Sequence, residues 1–356
     1  MNKKILISTG GSGGHVIPAT IIYKHLEGNF DVSMTSDLRG IKFLNKDEYN
    51  LKIFNVRPIS KNLLIMPFDF LLMIILIFKS ISFLRKNKIN ILISTGGYMS
   101  LPLCIGAKIL NIKLLLFEPN MVLGRSNKFF ISYCQKIFCY SNNVKKFPIK
   151  FKNKIKVIPA LLRKNFYDKM DSINSLDTIN LLIIGGSQGA KIFDDLVKNT
   201  IIELSKKYKL KIYQQTSSIN FESFKKIYEN NNINCELFNF NDDVINFMQK
   251  TDLCITRAGA STLAELNFTE IPYLAIPLPT AKDNHQFENA YFYNKLGFNW
   301  LLNQKEIDEK ILLDKLINII DNKEEYLAKK KNMKDFNYEN TWNNINLKII
   351  SVINEN

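Results

Sequence analysis

Residues 252–290 read DLCITRAGASTLAELNFTEIPYLAIPLPTAKDNHQFENA, and this stretch decides the fold. Leu253-Cys254-Ile255 is a short apolar run of the kind that forms a buried parallel strand. Arg257-Ala258-Gly259-Ala260 follows, with small residues that let the backbone turn and a ligand come close. Ser261 or Thr262 is placed to cap the next helix, and Glu265 lies at an offset that faces the same opening. A second apolar run, Tyr273 to Ile276, ends at Pro277-Leu278-Pro279, where a strand must stop. Asp283, Asn284, His285, Gln286 and Asn289 then bring amides and an imidazole to the start of another helix. Two successive strand ends thus deliver hydroxyls, a carboxylate and amides to one crevice, where open α/β sheets take ligands. Acceptors and donors so mixed suit a hydroxyl-rich ligand such as a ribose or hexose.

The same grammar recurs through the chain. Ile5 to Ser8 reads as a buried strand leading into Gly10-Gly11-Ser12-Gly13-Gly14-His15 and an amphipathic helix through about His25. Strand, glycine turn and helix direct backbone N–H groups and a helix dipole at the loop. The loop is neither a P-loop nor a GxGxxG fingerprint, because no Gly-Lys-Ser/Thr follows and Val16 stands at the third glycine position. His15 is its one titratable group, fit either for a general base or for a structural role at the helix start. Ile91-Leu92-Ile93 leads into a second glycine turn at 94–100, and Lys113 to Phe117 is a strand ending at Glu118-Pro119-Asn120 and Gly124. The alternation of apolar and basic residues over 149–158 predicts one more strand.

From Asn180 the pattern restarts: an apolar strand to Ile184, then Gly185-Gly186-Ser187-Gln188-Gly189-Ala190. Further strands are expected near 211–214 and 236–238, with Asp242-Asp243 heading a helix. The fold class that follows is α/β, two doubly wound Rossmann-like domains facing a cleft. The predicted domains are 1–160 and 161–334, with a C-terminal helical segment, 335–356, packing back on the first.

The net charge of +15 is unevenly held. Residues 1–160 carry 24 Lys and Arg against 7 Asp and Glu, so the excess lies wholly in the first half. Such a half suits an anionic surface, either nucleic acid or a membrane. Leu63 to Phe78, LLIMPFDFLLMIILIF, is shorter than a spanning helix and contains Pro67 and Asp69. Lys61 precedes it and Lys79, Arg85, Lys86 and Lys88 follow, so it reads either as a buried core helix or as an apolar patch rimmed by cations. The patch reading fits the basic half better. The five cysteines form no CxxC pair and suit core filling in a reducing compartment. No signal peptide is expected ahead of the first strand, since Lys3 and Lys4 lead straight into Ile5-Leu6-Ile7.

Assembled, these blocks resemble the MurG family of N-acetylglucosaminyltransferases, nearly end to end. The likeness rests on GGSGGHVIPA (10–19), TGGYMS (95–100), FEPN…G…NK (117–128), GGSQGA (185–190), FNDDV (240–244), RAGASTLAEL (257–266) and PLPTAKDNHQFENA (277–290). It implies a GT-B type glycosyltransferase fold. The implied reaction is inverting transfer of GlcNAc from UDP-GlcNAc to the 4-hydroxyl of MurNAc in undecaprenyl-diphospho-MurNAc-pentapeptide, in peptidoglycan synthesis. His15 would be the catalytic base. The donor would meet Ser12, Gly13, Gly14, Asn120, Arg163, Ser187, Asn241, Ala260, Ser261, Thr262, Leu263, Ala264, Glu265 and Gln286, with His285 and Asn289 as further sugar contacts. No Asp-x-Asp pair occurs, so neither metal nor cofactor is expected. The resemblance further implies a peripheral position on the cytoplasmic face of the bacterial inner membrane, an anionic surface beneath the protein, other cell-wall enzymes as partners and no nucleic acid. Two alternatives stand beside it: a UDP-sugar epimerase of the same fold, and a non-catalytic membrane scaffold that binds a nucleotide sugar.

Overall fold

The computed structural model describes residues 3–57, 60, 62, 64–168, 177–185, 193–239 and 244–355. The chain divides into two compact units, Met1–Arg163 with Thr341–Asn356, and Lys164–Asn340.

The first unit runs β1 (Lys4–Ser8), α1 (Gly13–Leu26), β2 (Asp31–Ser36), β3 (Leu51–Ile53), α2 (Met66–Lys86), β4 (Ile91–Ser94), α3 (Leu101–Ile109), β5 (Lys113–Glu118), α4 (Arg125–Phe130), β6 (Lys136–Cys139) and β7 (Ile155–Val157). Its strands form one sheet in the order β3-β2-β1-β4-β5-β6-β7. The neighbours are parallel, with Ile5 beside Val32 on one flank and Ile91 on the other. Helices cover both faces of such a sheet, so central strands carry apolar side chains on both sides. Ile5, Leu6 and Ile7 are fully buried, as are Leu115, Leu116 and Phe117.

The second unit runs β8 (Ile179–Ile184), α5 (Lys198–Ser205), β9 (Leu210–Gln215), α6 (Phe221–Asn230), β10 (Asn234–Phe238), α7 (Val244–Met248), β11 (Leu253–Thr256), α8 (Ala260–Phe268), β12 (Tyr273–Ala275), α9 (His285–Lys295), β13 (Asn299–Leu301), α10 (Glu309–Asp321) and α11 (Lys323–Phe336). The sheet order is β10-β9-β8-β11-β12-β13, again parallel, with Leu253 beside Leu181 and Cys254 beside Tyr273.

The last helix, α12 (Trp342–Asn354), belongs to the first unit. Ile345, Ile349 and Val352 lie on its buried face, each at most 1% exposed, spaced as one side of a helix requires. Thr341 caps its start by accepting from the Asn344 N–H at 3.2 Å. At its other end Lys3 Nζ donates to the Ile353 carbonyl at 3.2 Å, and Lys113 Nζ to Val352 at 3.0 Å and Ile353 at 3.3 Å. Cations at a helix C-terminus satisfy its last carbonyls and oppose its dipole. Trp342 stacks on His25 of α1, ring centroids 3.7 Å apart and planes 23° from parallel. His25 is 2% exposed, and neither ring nitrogen has a hydrogen-bond partner among the described residues.

Two expectations need correction. The 149–158 segment is not one strand: Pro148 leads into a 3-10 turn over Ile149–Lys154, and only Ile155–Val157 joins the sheet. Helix α1 is not amphipathic in the simple sense, since its buried residues include Val16, Pro18, Ala19, Ile21, Ile22, Tyr23 and His25 on nearly all sides. In α2 only Ser80 and Leu84 are buried, while Phe68, Phe70, Leu71, Ile74, Ile75 and Phe78 are each 41–68% exposed.

Candidate active site

In the first unit the connections leave β1 and β4 toward opposite flanks of the sheet, which makes the gap between their C-terminal ends the switch point. The two strand ends are tied by Thr95 Oγ1 donating to Thr9 Oγ1 at 2.9 Å. His15 sits in the first turn of α1, and its Nδ1 lies 2.8 Å from the Thr95 carbonyl. A carbonyl only accepts, so Nδ1 carries the proton and Nε2 is the basic nitrogen of the neutral ring. Gly97, at φ +81°, leaves room for this ring: a Cβ there would lie 3.3 Å from His15 Cδ2 and 3.5 Å from Nε2.

The glycine loop is itself organised by Asp37 at the end of β2, 1% exposed. One carboxylate oxygen accepts from the Gly11 and Gly40 N–H groups, each at 2.8 Å. The other accepts from Arg39 Nε at 2.8 Å and Nη2 at 2.7 Å. The Gly11 N–H is therefore spent on a carboxylate and is not among the loop amides open to a ligand. Ser12 stands at the N-cap of α1 without a side-chain cap; Gly13 is buried and Gly14 exposed. A second buried carboxylate shapes the loop after β5. Glu118, 3% exposed, accepts from Asn120 N at 3.2 Å and Nδ2 at 3.0 Å through Oε1. Through Oε2 it accepts from Gly124 N at 2.7 Å and Asn127 Nδ2 at 3.0 Å. Asn120 is thus held in place by Glu118. Arg163, half-buried, is the last residue of this unit before the chain crosses.

In the second unit the switch point lies between β8 and β11. Ser187 and Asn241 lie outside the described residues. After β11, Gly259 is the N-cap of α8 and offers no side-chain cap, and the first turn has no acidic residue. Ser261 and Thr262 therefore sit inside the first turn and do not cap it, contrary to expectation. Their helix start keeps N–H groups and dipole that favour an anion. Leu263 and Ala264 are buried at 0% and 1%, so they can offer only backbone. Glu265 is 8% exposed one turn further along α8, which packs against α9.

Gln286, in the first turn of α9, joins both loops: its Oε1 accepts from Leu278 N at 2.9 Å and Ala258 N at 3.4 Å. Its carbonyl is thereby engaged, and the amide NH2 is the end it can turn to a hydroxyl. Asn289 Nδ2 donates to the Ala258 carbonyl at 3.1 Å, and Asn289 is 1% exposed. That burial makes it a brace for the turn; the sequence-based expectation of a sugar contact does not fit it. His285 Nδ1 is 2.8 Å from the Lys282 carbonyl. Asp283 and Asn284, at φ 53° and 59°, hold the preceding turn in the left-handed region.

Sequence reasoning gave Arg257 no role. It is 7% exposed, with Nη1 donating to the Ile276 carbonyl at 2.9 Å and to Gln304 Oε1 at 2.6 Å. Its guanidinium also stands 5.0 Å from the Phe193 ring centre. Burial pushes it down to about 10, so it remains a cation at neutral pH. The available signal was its place one residue past a buried strand. Among the described residues, no three His, Cys, Asp or Glu side chains gather as a metal-holding group.

Two parallel sheets, each with polar groups gathered at its switch point, are the architecture of a two-domain glycosyltransferase, and the family models agree. The glycosyltransferase family 28 N-terminal domain matches residues 5–139 and the C-terminal domain residues 180–342. Over all 356 residues the chain is 91% identical to the UDP-N-acetylglucosamine--N-acetylmuramyl-(pentapeptide) pyrophosphoryl-undecaprenol N-acetylglucosamine transferase of Pelagibacter ubique (strain HTCC1062), covering 100% of both chains. The chain belongs to this transferase family. Among solved structures, Acinetobacter baumannii MurG matches with a TM-score of 0.76 at 24% identity, over 94% of this chain and 95% of that one. The UDP-GlcNAc 2-epimerase of Neisseria meningitidis shares the fold with a TM-score of 0.66 at 13% identity, over 99% and 100% of the two chains.

Proposed function

We propose that this protein transfers N-acetylglucosamine from UDP-GlcNAc to the 4-hydroxyl of the muramic acid in undecaprenyl-diphospho-MurNAc-pentapeptide, with inversion at the anomeric carbon. The observation that carries this reading is the 91% identity, over the whole chain, to the Pelagibacter ubique transferase. His15 Nε2 takes the proton from the acceptor hydroxyl as that oxygen bonds to the anomeric carbon. The bond from that carbon to the diphosphate oxygen breaks, and UDP leaves with the electron pair. The Thr95 carbonyl, 2.8 Å from Nδ1, supports this role by fixing the ring's tautomer and orientation. Growing charge on UDP is met by the uncapped start of α8, and Arg163 is a further cationic donor contact. Glu265 takes the ribose hydroxyls and the Gln286 amide a sugar hydroxyl. Ser12, Gly13, Gly14 and Asn120 are further donor contacts.

The acceptor is lipid-borne, and the open face of α2 supports peripheral contact with the cytoplasmic side of the membrane. Its exposed Phe, Leu and Ile side chains are followed by exposed Lys79, Arg85 and Lys86. Apolar insertion with cations at the rim is how a peripheral helix binds an anionic bilayer.

One assay tests the reaction: UDP-GlcNAc with the lipid-linked acceptor, read by product mass. The expected result is acceptor gaining a single N-acetylhexosamine and stoichiometric UDP. Conversion of UDP-GlcNAc to another sugar nucleotide without any acceptor would instead establish the epimerase reading and refute this one.

A further inference from the structure

Arg257 is a buried cation of the second unit that the mechanism above leaves unused; Lys329, equally buried there, is paired with Glu325 at 3.1 Å. At 7% exposed, its guanidinium is removed from water, yet its polar partners are two neutral oxygens, the Ile276 carbonyl and Gln304 Oε1. Among the described residues no carboxylate pairs with it, and its remaining neighbour is the Phe193 ring. A charge taken out of water without a counter-charge is destabilising, so it is retained where something compensates it. The place is informative. Arg257 directly precedes the Ala258-Gly259 turn that opens α8, and its bond to Ile276 ties the end of β11 to the end of β12. Gln286 and Asn289 hold the same turn through the Ala258 N–H and carbonyl.

We propose that Arg257 is the positioning residue of the donor half-site and that its charge is completed by the diphosphate of a bound nucleotide. The inference rests on the donor-site reading above. The side chain holds the two loops in register from behind, while the positive charge makes that turn favour a nucleoside diphosphate over a neutral nucleoside. A low-dielectric setting strengthens this attraction relative to water.

Calorimetric titration of the full chain with UDP and with uridine tests this, using wild type, Arg257→Gln and Arg257→Lys. Arg257→Gln is expected to weaken UDP by about tenfold or more, leaving uridine within about twofold. Arg257→Lys is expected to recover most of the UDP loss, because it keeps the charge. Equal losses for UDP and uridine, an unchanged UDP affinity in Arg257→Gln, or a lysine variant no better than glutamine would each overturn the charge assignment. If Arg257→Gln does not fold, as judged by circular dichroism, Arg257→Lys decides alone. Retention of the wild-type UDP-to-uridine ratio supports the proposal, and its collapse refutes it. Wild-type protein that takes no UDP at all refutes the donor site itself, an outcome distinct from the variant results.

Discussion

The stack of His25 on Trp342 ties stability to pH in a way that can be worked through. His25 is 2% exposed and neither ring nitrogen has a hydrogen-bond partner among the described residues, so nothing compensates a charge on it. Burial pushes its pKa from 6.5 down to about 4. Between these values the unfolded chain binds the extra proton and the folded chain does not, so stability rises with pH across the window. The contribution is complete above pH 6.5 and is lost as the pH falls toward about 4. Moving from pH 7.5 to pH 5 should remove about 2 kcal/mol through this one residue. The variant His25→Phe, which keeps a ring against Trp342 and every other titrating group, supplies the reference. The chain has two tryptophans. A Trp300→Phe background therefore leaves Trp342 as a reporter of the first unit alone. Urea unfolding followed by Trp342 fluorescence should show His25→Phe losing about 2 kcal/mol less than its parent over that pH range. Equal losses in the two proteins would refute the reasoning.

His15→Gln should lower kcat by about 10²–10⁴-fold while UDP-GlcNAc still binds; a wild-type rate would remove the base assignment. Gly97→Ala should combine a backbone strain of about 1–3 kcal/mol, since φ +81° with ψ 161° suits only glycine, with displacement of the imidazole. A fall in kcat larger than the fall in unfolding midpoint implies, measured on one preparation, is the expected signature. Leu71→Glu with Ile75→Glu, on the exposed face of α2, should reduce flotation with anionic vesicles by at least about tenfold and spare UDP binding. Equal flotation with neutral and anionic vesicles, untouched by the double substitution, would contradict membrane contact through this face.

Strands buried on both faces were the most legible part of the sequence. β1, β4, β5, β8, β11 and β12 read as apolar runs because nearly all their residues are buried. β2 was silent, since Ser33, Thr35 and Ser36 supply half of its residues; Thr35 and Ser36 are nonetheless fully buried. β3 and β13, three residues each, are too short for any period to register. At the candidate site the residue types and the loops that carry them were readable, while the roles of side chains that serve the loops were not. Asp37 and Glu118 look like ordinary loop acids until their four donors each are seen. Ser261 and Thr262 looked like caps, but the helix starts at Ala260, two residues earlier than a Ser261 cap requires and three earlier than a Thr262 cap requires. Arg257 was given no role, because a side chain that bonds to the end of the next strand leaves no mark on spacing.

The return of α12 to the first unit has a consequence for synthesis. Arg163 completes the forward passage through that unit, but Trp342, which covers His25, is made 179 positions later. At typical elongation rates this is a wait on the order of ten seconds or more. During that time the growing polypeptide carries an unfinished front half whose α1 surface has no lid and whose α2 flank is already greasy. The newborn protein is therefore most prone to aggregation while the ribosome is still writing its second half, and least once the final helix is released.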